Sequence, residues 1–249
     1  MQNQIKWVFA GAGMAVLLGL ILVFCGRLMG AKNGFILSTD GLNSLRVIEP
    51  GEEQFIEEST EPFHSILVRT DCYSINFVPS DHYGVDFSQD SAYPAAFSVQ
   101  DGMLSFVSAH KRQKDISIGL PTIGRDLYTL RIYYPADAEL NAIKIEADMG
   151  DINLKGCSTR KLEADLDMGD IRLEDVQVTD CELSVDMGDV TVFSPLPETA
   201  CNYECDVDLG EVTVNGVEML HEYKRYHPDA VCKLEIEVDA GDIKLQFAQ

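Results

Sequence analysis

The chain has 249 residues, 46% of them apolar, which suffices for a packed domain, and a formal net charge of −22. The charge is uneven: residues 1–33 carry Lys6, Arg27 and Lys32 and no acid, which leaves 16 basic and 41 acidic residues beyond them. Such a surface repels nucleic acid and anionic headgroups, so nucleic acid is excluded as a partner, while cations and basic partners are favoured.

The first element is Trp7–Gly26 (WVFAGAGMAVLLGLILVFCG), an uncharged run that as a helix is long enough to cross about 30 Å of hydrocarbon. Lys6 and Arg27 bracket it, and Trp7 suits the interface. It lacks the short apolar core and small-residue exit of a cleaved signal peptide. We therefore expect one N-terminal transmembrane helix within residues 1–29, with residues 7–26 in the membrane. The short tail before it and the acidic mass after it predict a single-pass protein of the cell membrane with its C-terminal part extracytoplasmic. Residues 30–52, rich in Gly, Asn, Ser and Pro, read as a linker, with room for a short strand.

From residue 53 the pattern becomes that of strands, at Ser65–Arg69, Ser74–Val78, Gly84–Phe87, Met103–Ser108 and Leu127–Tyr134. Turn signals separate them, such as Pro79-Ser80-Asp81 and Asp101-Gly102. No later stretch has a long 3.6-residue apolar period, though Leu220–Tyr226 could make one or two helical turns.

Five copies of one pattern occupy residues 141–249: DMGDI (148–152), DMGDI (167–171), DMGDV (186–190), DLGEV (208–212) and DAGDI (239–243). Aligned on Gly150, Gly169, Gly188, Gly210 and Gly241, the slots seven, five and three before the glycine and two and four after it are apolar or nearly so. For the second copy they hold Leu162, Ala164, Leu166, Ile171 and Leu173. Steps of two are strand alternation with one buried face. The step across the glycine is five, an odd number that would flip the buried face of a flat strand. The chain must therefore bend at the glycine. Each copy reads as strand, glycine corner, strand and turn, and copies at this period stack. The expected fold is all-β, a repeat-built β-solenoid or solenoid-like β-sandwich, with residues 53–249 as the β-strand-repeat domain.

Stacking would line up two acidic columns, Asp148, Asp167 and Asp186 before the glycines and Asp151, Asp170 and Asp189 after them. Two uses compete. Clustered carboxylates can hold calcium, or aspartates can accept hydrogen bonds from corner N–H groups, as in Asx-turns. The backbone role is the commoner. Paired carboxylates also suit glycoside hydrolysis, but so many equivalent pairs point to architecture and disfavour a carbohydrate-active enzyme. Cys181 and Cys205 fill apolar slots and read as buried thiols. Cys201 and Cys232 both stand nine before their glycines, so stacking would bring them within disulfide range across the insertion 215–231. The histidines are scattered, and no nucleophile motif, metal-ligand motif or dinucleotide fingerprint is present. The chain reads as a non-enzyme without a cofactor.

The segment IYYPADAELNAIKIEADMGDINLKG (132–156), followed by LEADLDMGDIRLEDV and LSVDMGDVTV, resembles the bacterial β-strand-repeat family labelled "putative adhesin", of unknown function. The resemblance covers roughly residues 60–249. It implies an all-β repeat domain, often tethered to the envelope of Gram-positive bacteria behind one transmembrane helix, and it supplies no catalytic residues. Some members sit in cell-envelope stress operons. The expected function is a membrane-tethered envelope binding module whose exposed face and 215–231 loop meet a protein or cell-wall polymer. The alternative is a regulatory partner of a cell-envelope stress-response system.

Overall fold

A computed structural model describes residues 34–38, 45–47, 53–91, 94–108, 115–119 and 128–248. The expected anchor over residues 7–26 lies outside them. Among the described residues no helix is long and apolar enough to cross a membrane. The chain divides into two units, residues 1–49 with 111–125, and residues 50–110 with 126–249. The first contains Gly34–Ser38 between antiparallel Leu45–Val47 and Asp115–Gly119, so strands form within the expected linker.

The second unit is the stack. Each repeat contributes a long strand, a glycine corner and a shorter strand. In chain order these are Glu139–Met149 and Ile152–Lys155, Ser158–Met168 and Ile171–Glu174, Gln177–Met187 and Val190–Pro197, Cys201–Leu209 and Val212–Val214, and Cys232–Ala240 and Ile243–Ala248. The long strands pair in parallel as one sheet face (face I), and the short ones pair in parallel as another (face II). Ser65–Ser80 runs through both, pairing with Glu139–Met149 over its first half and with Ile152–Lys155 and Tyr128–Pro135 over its second. The hydrogen-bonded network of this unit is thus one 18-stranded sheet folded on itself, as counted among the described residues.

The offsets read from the sequence become neighbours in space. Ile143, Leu162, Cys181, Leu234 and Tyr203 stand in register, as do Ala147, Leu166, Val185, Val238 and Val207. All are buried. Each Val, Leu or Ile side chain removed from water contributes about 1.5–3 kcal/mol, and the ladder arrangement repeats that gain from level to level.

The order of stacking differs from the order of the chain. Cys232–Ala240 pairs with Gln177–Met187 on one side and with Cys201–Leu209 on the other. The fifth repeat therefore lies between the third and the fourth. The insertion 215–231 carries the chain back. Asn215 and Gly216 have φ of 50° and 78°, the two positive values of a type I′ hairpin, and turn the chain into Val217–Glu218 against Val212–Val214. Glu222–Arg225 then runs antiparallel to Cys201–Leu209. The segment expected to make helical turns is a strand instead, because the open edge of the fourth repeat offers it a hydrogen-bonding partner.

Candidate functional surface

The corners are built coil upon coil. Gly169 and Gly188 have φ of 139° and 145°, and a Cβ on either would fall well inside contact distance of the carbonyl oxygen of the glycine one coil below. Close backbone approach and a positive φ together require glycine here. The Gly169 N–H donates to Met187 O (3.0 Å), and the Gly188 N–H to Ala240 O (3.0 Å). The next residue's N–H points the other way and finds a side chain. Asp170 N donates to Asp151 Oδ1 (3.1 Å), Asp189 N to Asp170 Oδ1 (2.9 Å), Asp242 N to Asp189 Oδ1 (2.8 Å) and Glu211 N to Asp242 Oδ1 (3.0 Å). Glu211, the one glutamate in this column, belongs to the fourth repeat at the end of the file, where no further corner needs capping.

The column Asp151, Asp170 and Asp189 is thus engaged by the backbone. Asp148, Asp167 and Asp186 form the second file, in line with Asp239 and Asp208. Among the described residues no group of three or more His, Cys, Asp or Glu is placed to hold a metal. His221 and His227 likewise join no such group.

Face I carries the acids outward in three rows. Register aligns Lys144, Glu163, Glu182, Glu235 and Glu204, then Glu146, Asp165, Ser184, Glu237 and Asp206, then the Asp148 file. Only Lys144 and Ser184 interrupt the carboxylates. The first two rows line a shallow concavity of about 610 Å³. Cations stand along one margin and at the ends. Lys161 pairs with Glu163, Lys233 with Glu235 (2.6 Å), Lys224 with Glu204 (2.7 Å) and Arg69 with Glu146 (2.7 Å). Hydrogen bonds from Lys161 and Arg69 hold the Glu163 and Glu146 carboxyls below the usual range. Bonds to Glu204 and Glu222 push the Lys224 ammonium up. No cation among the described residues pairs with Asp165, Glu182, Asp206 or Glu237. Face II is mixed instead: Asn153, Arg172, Thr191 and Lys244 align in register, and Arg172 lies 4.7 Å over the Phe193 ring.

Cys201 and Cys232 are register partners, buried and free. Interaction with its neighbour lowers the Cys201 thiol and raises that of Cys232. Cys181 is buried, and its desolvation pushes the thiol up. Cys205 is pushed up to about 12 by burial.

Strand parity does not extend to the residue just before the glycine. The residue just before each glycine has the parity of the buried slots. Yet Met149, Met168, Met187 and Leu209 are exposed, at 40%, 45%, 55% and 73%, because the chain has already begun to turn there. The signal was the recurrent Met in the three DMGD copies. Within the insertion 215–231, expected to meet a partner, two strands pair along the edges of both faces.

No match to a curated protein is found. Among solved structures the chain is similar to a "putative cell adhesion protein" from Clostridium sporogenes ATCC 15579. That protein is 17% identical with a TM-score of 0.55, and the match covers 79% of this chain and 100% of the other. It is also similar to a "putative adhesin" from Bacteroides fragilis NCTC 9343, 14% identical with a TM-score of 0.36, covering 81% and 100%. The first likeness shows a shared fold. The Toastrack DUF4097 family model matches residues 95–249, more than half of the sequence, and the chain therefore belongs to that family.

Proposed function

We propose that the protein is an envelope-tethered, non-enzymatic interaction module, held by residues 7–26 and meeting its partner through face I. The observation that carries this reading is the three-row carboxylate array, fixed at strand spacing on a rigid stack. A scaffold of this kind holds its side chains in a set geometry without ordering them anew on binding, which favours recognition of a partner bearing repeated positive charge. Adhesion is what the Clostridium relative's description names, and it is consistent with a surface that meets polymers or proteins of the envelope.

The test uses the full chain purified in detergent and isolated Gram-positive cell envelopes. Binding is expected to weaken with salt and to fall at least tenfold in the Glu182→Gln/Glu237→Gln/Asp206→Asn variant. Binding indifferent to both would overturn the use of face I. Alkaline carbonate extraction should leave the expressed chain in the membrane pellet, and its release would overturn the tether.

A further inference from the structure

The column just before the glycines is an apolar strip along the corner edge of the stack. Met149, Met168, Met187, Ala240 and Leu209 are consecutive register partners, and the four large ones are exposed. Four exposed large apolar side chains in one line, with half-buried Ala240 among them, are not the scattered surface hydrophobics of an ordinary domain. Methionine is a soft, adaptable side chain often found at surfaces that bind helices. On one side of the strip lie Asp186, Asp239 and Asp208, and on the other Asp189, Asp242 and Glu211, all exposed.

We propose that this strip is a docking line for a basic amphipathic helix of another protein, an inference that rests on the interaction-module reading and names the partner's chemistry. Length and period select a helix. Four strand steps of about 4.8 Å make the strip about 19 Å long, which about 13 helical residues span at 1.5 Å each. One helical turn advances about 5.4 Å, close to the strip's own spacing. Alternate residues of an extended segment advance about 6.7 Å and fall out of step. Charge selects the flanks: lysines or arginines either side of an aliphatic stripe would meet both acidic files. The same files oppose the other occupants. A second copy would face acids with acids, and an anionic bilayer would be repelled.

The probe is a labelled 14-residue Leu/Lys amphipathic peptide, with a scrambled peptide of equal composition as control, measured by anisotropy on the full chain in detergent. The amphipathic peptide is expected to bind at least tenfold tighter than the scrambled one. Met168→Ser/Met187→Ser/Leu209→Ser, whose side chains are exposed and whose melting temperature should stay within a few degrees, is expected to weaken it at least tenfold. Asp186→Asn/Asp239→Asn/Asp208→Asn, which spares the aspartates that cap the backbone, should weaken it at least threefold and flatten its salt dependence.

Equal binding of the two peptides, or a ridge variant within twofold of wild type, overturns the proposal. So does a ridge-dependent dimer in sedimentation, or ridge-dependent binding to phosphatidylcholine or phosphatidylglycerol vesicles in place of the peptide. Envelope binding separates the two readings. If the ridge variant binds envelopes as wild type does while the Glu182→Gln/Glu237→Gln/Asp206→Asn variant does not, only the docking line fails. If wild type binds no envelopes, the interaction-module reading fails.

Discussion

The repeats and the strand Ser65–Ser80 turn the same corner with different residues. Register places Met149 opposite Cys72, so Tyr73 stands where the repeats have glycine. Its side chain is buried, its ring meets Phe106 at 5.4 Å, and its hydroxyl donates to Ser88 O (2.9 Å). Glycine is needed where a corner sits directly on another corner's carbonyl. Among the described residues no glycine corner lies beneath Tyr73: its neighbours are Met103–Ser108, which ends at Ser108, and Tyr128–Pro135, which begins opposite Tyr73. With room for a side chain, the corner is closed by aromatic packing. The backbone path is one solution, and the residue that permits it depends on what lies a coil below.

Breaking a repeat corner should have the largest effect. Gly188→Val combines a disfavoured φ with a clash against backbone that cannot move aside, and is expected to cost about 3 kcal/mol or more. A melting temperature within a few degrees of wild type would remove the close-approach account. The tyrosine corner is marked by alkaline sensitivity. Burial pushes Tyr73 up to about 12 from its ordinary 10, and Cys157 up to about 12 from 9. The unfolded chain loses these protons first, so their contribution is complete below about pH 9 and declines as pH rises toward 12. Denaturant midpoints at pH 8 and 10.5 should show the decline, and Tyr73→Phe should show less of it. At neutral pH that variant loses one hydrogen bond, about 1 kcal/mol; an unchanged alkaline slope would place the sensitivity elsewhere. The smallest effect is expected from Asp189→Ala, which leaves Asp242 N–H to water at the exposed corner, about 0.5–1 kcal/mol by thermal unfolding. A loss above 3 kcal/mol would mean that the aspartate does more than cap.

Offsets and parity carried much of this fold. The buried slots follow from residues such as Leu162, Ala164 and Leu166, and the bend follows from an odd step across Gly169. Stacking order does not follow, because every repeat presents the same pattern, and nothing in Leu234 or Tyr203 says which pairs with Cys181. Ser65–Arg69 and Ser74–Val78 read as two strands because Tyr73 gives no corner signal, although they form one. Of the candidate site, the two aspartate files were legible. The carboxylate rows of face I were not, because Glu182 and Glu235 become neighbours only once the fifth repeat is set beside the third. The outward methionines were hidden because parity fails at the residue where the chain turns.

The displaced position of the fifth repeat also governs how the molecule is made. The fourth repeat is synthesised before the coil it rests on, so its final seat is formed only when residues 232–248 come to lie between it and the third repeat. Growth of the solenoid is self-arresting: a duplicate of the last repeat following in sequence would find both of its edges already taken. The route of the chain thus closes the stack around its own last repeat.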